Sequence, residues 1–95
     1  MVQIKLSSNE TIWFPLTDIA IYILLRSEGK GKNLREIGVK AARKLGLHPL
    51  DLETLLAAIG MVRAYGVDES VKKEVEENLE TRKELKDILN EVLEE

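Results

Sequence analysis

The sequence predicts a mainly α-helical domain that has an N-terminal β-hairpin, a core of three helices and a C-terminal helical extension. Apolar residues alternate with polar ones near the N-terminus, they recur at helical spacing over about 17–93, and glycine or proline separates the runs. A chain of 95 residues is long enough for one compact core. We therefore assign 1–95 to a single domain, with the hairpin at 1–16, the three-helix core at 17–66 and an acidic helix or helix pair at 67–95.

The hairpin is predicted from two short runs of strand-forming residues. In the first run the apolar residues are Val2, Ile4 and Leu6. Residues 7–10, Ser-Ser-Asn-Glu, interrupt this alternation before the second run at 11–14. Pro15 ends the second strand because proline has no N–H to donate to a ladder. We expect Trp13, in the second strand, to lie in the core; the alternative is an exposed ring that stacks on a nucleic-acid base.

The first core helix is predicted to lie in the middle of the domain. Thr17 or Asp18 can cap its N-terminus. The run 19–25 is apolar on every face, and a helix without a polar side is buried by its neighbours. The Gly-Lys-Gly-Lys segment at 29–32 ends the helix.

The next two helices flank a glycine turn. Asn33 is predicted to cap the second helix, at 34–45, and Gly46 supplies the left-handed residue that ends it. The third helix begins near Pro49, a favoured first-turn residue, and continues to about Tyr65. The inward residues are Leu34, Ile37, Ala41 and Leu45 on the second helix, and Leu52, Leu55, Leu56, Ile59 and Val62 on the third.

The segment after Asp68 carries two apolar stripes that are out of phase. The first stripe contains Val71, Val75 and Leu79, and the second contains Leu85, Ile88, Leu89, Val92 and Leu93. The step of six residues between the stripes breaks the helical period. Thr81 and Glu84 match a capping box, which would begin a second helix. Two alternatives therefore remain open for this segment, one continuous helix or two helices.

The junction of the second and third helices resembles the helix-turn-helix superfamily. A small residue, a turn glycine and clamping apolar residues stand at the intervals of that motif: Ala42, Gly46, Leu47, Leu52 and Leu55. The chain is similar, over about 17–66, to winged-helix domains, which include regulators and the dimerisation domains of some methyltransferases. The resemblance implies nucleic acid as a partner. The chain departs from winged helices after Gly66, where a charged helix replaces the expected pair of strands.

A basic cluster supports the first functional hypothesis, a small nucleic-acid-binding regulator with weak sequence preference. Segment 26–48 carries seven basic residues against two acidic ones, whereas 67–95 carries five against eleven. The predicted phosphate contacts are Lys30, Lys32, Arg35, Lys40, Arg43 and Lys44. In helix-turn-helix proteins the first motif helix crosses the phosphate backbone, so these residues would position DNA or RNA rather than read it. The alternative is a solvated charged face.

The outer face of the third helix supports the second hypothesis, a homodimerisation or protein-interaction module without a DNA role. This face carries Leu50, Glu53, Thr54, Ala57, Met61 and Ala64. It has none of the Arg, Lys, Asn or Gln side chains that read base edges. We expect its apolar residues, Leu50, Ala57, Met61 and Ala64, to form an interface that either the C-terminal helices or a second copy covers. We favour a homodimer in which this stripe and the C-terminal helices share the interface.

Composition argues against other classes of function. The chain has no cysteine, and its only histidine, His48, is expected to occupy the turn before Pro49. His48 and Asp51 give two ligands on one helical turn, too few for a metal site. We predict no catalytic residues, no metal, no cofactor and no small-molecule substrate, so the protein is not expected to be an enzyme. Without a run of about 20 apolar residues, we expect a cytoplasmic protein with no membrane partner. The high charged fraction favours a thermophilic source.

Overall fold

The computed structural model describes residues 1–95 and confirms a mainly helical protein with an N-terminal antiparallel hairpin. The strands are β1 (Val2–Lys5) and β2 (Thr11–Phe14), and the helices are α1 (Leu16–Ser27), α2 (Leu34–Lys44), α3 (Pro49–Tyr65), α4 (Glu69–Glu80) and α5 (Lys83–Glu94). None of these helices has the length and apolar character needed to cross a membrane.

Helix α1 forms the centre of the domain, as its apolar sequence predicts. It contacts each of the other four helices, and Ile19, Tyr22 and Ile23 have no exposed surface. The Tyr22 hydroxyl donates a hydrogen bond of 2.7 Å to the side-chain oxygen of Asn90 on α5. The one polar group of this buried run is therefore satisfied by a distant helix.

The predicted N-cap of α1 is wrong. Helix α1 begins at Leu16 after an extended Pro15, with no side-chain cap, so Thr17 and Asp18 lie inside its first turn. The Asp18 carboxylate instead accepts a hydrogen bond of 2.8 Å from the amide of Asn78 on α4. Proline can precede a helix as readily as it ends a strand, since its φ is close to the helical value.

The turn between α2 and α3 is the place where the hairpin docks. Gly46 has a φ of +61°, as predicted for the residue that ends the second helix. The N–H of Lys5 donates a hydrogen bond of 2.8 Å to the carbonyl of Leu45. A Cβ added to Gly46 would lie 3.2 Å from the Cβ of Lys5. Glycine is therefore required here both for backbone conformation and for the approach of β1.

The C-terminal segment forms two helices and completes the core. Helix α4 packs against α1, and α5 packs against α1 and α2. The buried residues of the two helices are Val75, Leu79, Leu85, Ile88, Leu89, Val92 and Leu93. The segment 67–95 is thus an integral layer of the domain, and most of its apolar residues are buried in the core.

The predicted capping box between the two C-terminal helices does not form. The Thr81 hydroxyl donates to the carbonyl of Asn78, and α5 has no side-chain cap. The Glu84 carboxylate reaches the hairpin loop, where it accepts hydrogen bonds from Ser7 and from the N–H and hydroxyl of Ser8, the latter two at 3.0 and 2.8 Å. These hydrogen bonds hold the pKa of Glu84 below its usual value, and the bond from Ser7 has the largest effect.

Gly46→Val should destabilise the protein by about 1–3 kcal/mol, because a β-branched residue resists positive φ and its side chain would press on Lys5. Chemical denaturation monitored by circular dichroism measures the loss. The control is Gly60→Ala on α3, where an added Cβ meets nothing within 4 Å and alanine should stabilise the helix by up to about 1 kcal/mol. Equal stability of Gly46→Val and wild type would refute the role assigned to Gly46.

Glu84→Gln should lower the free energy of unfolding at neutral pH. It should also make that free energy depend less steeply on pH in the acidic range. The folded-state pKa of Glu84 lies below the ordinary value of 4.5, so its contribution is present above that value and is lost as the pH falls through the lowered pKa. Urea unfolding at about pH 7 and about pH 3 tests this linkage. Glu77→Gln, an exposed change on α4, is the control. A parallel loss of stability at both pH values would show that Glu84 acts without titrating.

Candidate interaction surfaces

The first candidate surface is the basic side of α2, whose C-terminal half faces the end of α5. The ammonium group of Lys44 lies 3.0 Å from the carboxylate of Glu95 and 3.7 Å from that of Glu91. Lys40 lies 3.2 Å from Glu36 of its own helix and 3.7 Å from Glu95. Two of the six predicted phosphate contacts are thus already paired with carboxylates.

The pair formed by Lys44 and Glu95 is exposed to solvent, but it shifts the pKa of both partners. The hydrogen bond with Lys44 lowers the pKa of Glu95, and the hydrogen bond with Glu95 raises the pKa of Lys44. Water and salt screen exposed pairs, so they contribute little to stability. Their main consequence is electrostatic, because the carboxylates cancel positive charge on the surface that the sequence predicts to contact a polyanion.

Lys32 has a structural role rather than a free ammonium group. It is half-buried, and its ammonium donates a hydrogen bond of 2.8 Å to the carbonyl of Leu93. Leu93 lies in the last turn of α5, where carbonyl groups have no partner within the helix. Lys32 therefore holds the C-terminal end of α5 against the loop that precedes α2.

The remaining basic residues of the cluster are exposed and have no ion pair: Lys30, Arg35 and Arg43. Arg35 and Arg43 are about two turns apart on α2 and line a shallow groove together with Lys40. We call these three residues the basic groove. Asn33 and Glu36 also line it, so the groove is only moderately positive.

The second candidate surface is the outer face of α3, which no part of the chain covers. The exposed fractions of Leu50 and Met61 are 70% and 60%, and Ala57 and Ala64 are also exposed. Helices α4 and α5 pack elsewhere, against α1 and α2. The possibility that the C-terminal helices cover this face is thereby excluded. We call the exposed row Leu50, Thr54, Ala57, Met61 and Ala64 the α3 stripe.

The residues of the α3 stripe follow one another at intervals of four, three, four and three residues. This spacing keeps them on one side of a helix over a length of about 21 Å. Helix α3 begins where the ring Nδ1 of His48 accepts a hydrogen bond of 3.1 Å from the N–H of Leu50. His48 is thus the N-cap of α3, a role that its place before a first-turn proline suggests.

The core position expected for Trp13 is wrong. In the hairpin register Val2 pairs with Phe14 and Ile4 pairs with Ile12, and all four of these side chains are buried. Trp13 lies on the opposite face, with 61% of its surface exposed. Alternation along the strand therefore outweighs the hydrophobicity of a single side chain.

No group of three or more His, Cys, Asp or Glu side chains is arranged to hold a metal ion. Comparison of the chain with protein-family models, with curated proteins and with solved structures finds no match. The resemblance to helix-turn-helix proteins therefore stays a prediction, and a proposal about function depends on the two surfaces described above.

Proposed function

We propose that this protein is a homodimerisation module in which the α3 stripe packs against the same stripe of a second copy. The observation that carries the proposal is the exposure of Leu50 and Met61 in one row with Ala57 and Ala64. Covering apolar surface is favourable by roughly 25 cal/mol per Å². A row of apolar side chains left in water is typical of an interaction site rather than of an ordinary monomer surface.

The α3 stripe has the form that a two-fold interface requires. In a two-fold dimer the same patch serves both partners, so it must be complementary to itself. An antiparallel crossing centred on Ala57 places Leu50 of each copy beside Ala64 of the other. Large side chains then meet small ones, and Gly60, which is exposed beside the stripe, allows the helices to approach closely.

Charge on α3 favours the same antiparallel arrangement. Asp51 and Glu53 lie near the start of the helix, and Arg63 lies in its last turn. Antiparallel packing brings the acidic half of one helix near the basic end of the other, and it also opposes the two helix dipoles favourably. A parallel arrangement would place like charges together.

The proposed interface differs from the sequence-based expectation in one respect. The C-terminal helices bury their apolar residues against α1 and α2, and Val71, with 37% of its surface exposed, is the largest apolar exception. Helices α4 and α5 therefore offer a polar exterior. We assign the interface to α3 alone.

Nucleic-acid binding is the second candidate, and it depends on the basic groove. Arg35 and Arg43 are exposed and free of ion pairs, which leaves both guanidinium groups able to contact phosphates. Such contacts would be independent of sequence. The acidic end of α5 beside Lys40 and Lys44 makes this candidate weaker than dimerisation.

Met61→Glu should convert a homodimer into a monomer that keeps its helical content. The side chain is 60% exposed in the single chain, so a carboxylate is tolerated there, whereas inside an apolar interface it would be buried without a partner. Sedimentation equilibrium over a range of concentrations measures the mass. Trp13→Glu is the matched control, because Trp13 is 61% exposed but lies on the hairpin, and it should leave the mass unchanged. A wild-type protein that is monomeric at every concentration would overturn the proposal.

Replacement of Arg35 and Arg43 together by glutamate should abolish binding to duplex DNA if the basic groove contacts phosphates. The matched control replaces Lys73 and Arg82, two exposed basic residues outside the groove, and should bind as wild type does. Fluorescence anisotropy at several salt concentrations measures the binding constant. A plot of its logarithm against the logarithm of the salt concentration should have a slope of about −0.9 per neutralised phosphate. Absence of binding at low salt, or equal losses in both double variants, would reject the groove.

A further inference from the structure

A cleft of about 450 Å³ opens at one end of the helical bundle. It lies where α1 and α3 end and where α2 and α4 begin, and neither the α3 stripe nor the basic groove contributes a residue to it. We call it the end cleft. Its volume falls within the range of about 300–1,000 Å³ that is common for small-molecule sites. The apolar part of its wall consists of Leu24, Leu25, Leu34, Val62 and Val67.

The charged side chains around the end cleft are mainly basic. Three basic residues line it, Lys32, Arg63 and Lys72, against one acidic residue, Glu28. Lys32 is bonded to α5 and Lys72 is paired with Glu69 at 3.2 Å, but Arg63 has no ion pair. Since two helices end and two begin at this cleft, their dipoles largely oppose one another. The side chains therefore determine which ligand charge the cleft favours, and their mainly basic character favours a negatively charged ligand.

A buried hydroxyl group provides a second and independent observation. Ser27 lines the end cleft and is only 7% exposed, and its Oγ has no hydrogen-bond partner. A buried hydroxyl without a partner is unfavourable, because it has lost its bonds to water without replacement. Among the buried side chains of the protein, Ser27 alone carries a polar atom without a hydrogen-bond partner. Because this Oγ is closed off from water, a ligand oxygen in the cleft would supply the missing partner once the Ser27 side chain turns toward it.

We propose that the end cleft binds a small amphiphilic anion, with an alkyl chain among the leucine and valine side chains and a carboxylate or phosphate group at Arg63. The planar guanidinium group suits both anionic groups, since it can donate two parallel hydrogen bonds. Ser27 would donate a further hydrogen bond to the ligand. None of the residues of the α3 stripe lines the cleft, and Arg63, which also adds to the charge complementarity of the proposed dimer, is the only residue that the two proposals share.

Four probes, each with a chain of eight carbon atoms, test the proposal on the whole protein. Octanoate and octyl phosphate carry the two anionic groups, octanol carries no charge and octyltrimethylammonium carries a positive charge. In ¹⁵N-edited NMR titrations we expect saturable shifts of the Gly29, Gly31 and Gly66 amides with both anions. Octanol and the cation should bind at least about tenfold more weakly, since a hydrogen bond between charged groups contributes that much or more. Equal binding of octanol and octanoate, or shifts that do not saturate, would overturn the proposal.

Variants of Arg63 and Ser27 locate the binding. Arg63→Gln should weaken octanoate binding about tenfold while leaving octanol binding unchanged, and the control Arg43→Gln, outside the cleft, should bind as wild type does. Ser27→Ala should raise the melting temperature and weaken the binding of both anions. Met61→Glu should bind octanoate normally, which separates this proposal from dimerisation. Unchanged octanoate affinity in Arg63→Gln would overturn the site.

Discussion

The enclosure of α1 is the constraint on which the rest of the structure depends. Its run from Ile19 to Leu25 has no polar face, so the domain must surround it with other elements. Each of the other four helices contacts it. Helices α4 and α5 use their apolar sides for this purpose, and Tyr22, in the middle of the run, is hydrogen-bonded to Asn90 of α5. The acidic C-terminal segment is therefore committed to the core, and its outward side is polar.

This commitment decides which surfaces stay open. With α5 against α1 and α2, its last turn lies beside Lys40 and Lys44, where Glu95 reduces the positive charge expected to attract a polyanion. With both C-terminal helices on that side of α1, the outer face of α3 has no neighbour, and Leu50 and Met61 remain in water. The same packing thus weakens the case for nucleic acid and strengthens the case for a second copy of the chain.

The failed helix caps share a physical cause. Thr17, Asp18 and Glu84 are residue types that cap helices, and local sequence alone places them correctly for that role. In the folded chain Asp18 bonds to Asn78 and Glu84 bonds to Ser7 and Ser8, partners at least 60 residues away. A side chain with few donors or acceptors makes the bond that the whole fold brings within reach, and a local motif does not reveal that competition.

The sequence by itself determined the features that depend on neighbouring residues. Helical period, strand alternation, the cap at Asn33 and the left-handed turn at Gly46 follow from backbone sterics and short-range hydrogen bonds, which act over a few residues. Tertiary structure alone decided that Lys32 is hydrogen-bonded to Leu93 and that Ser27 is buried beside a cleft. Each of these depends on which surfaces of distant segments meet, and that is set by the burial of α1 rather than by any local pattern.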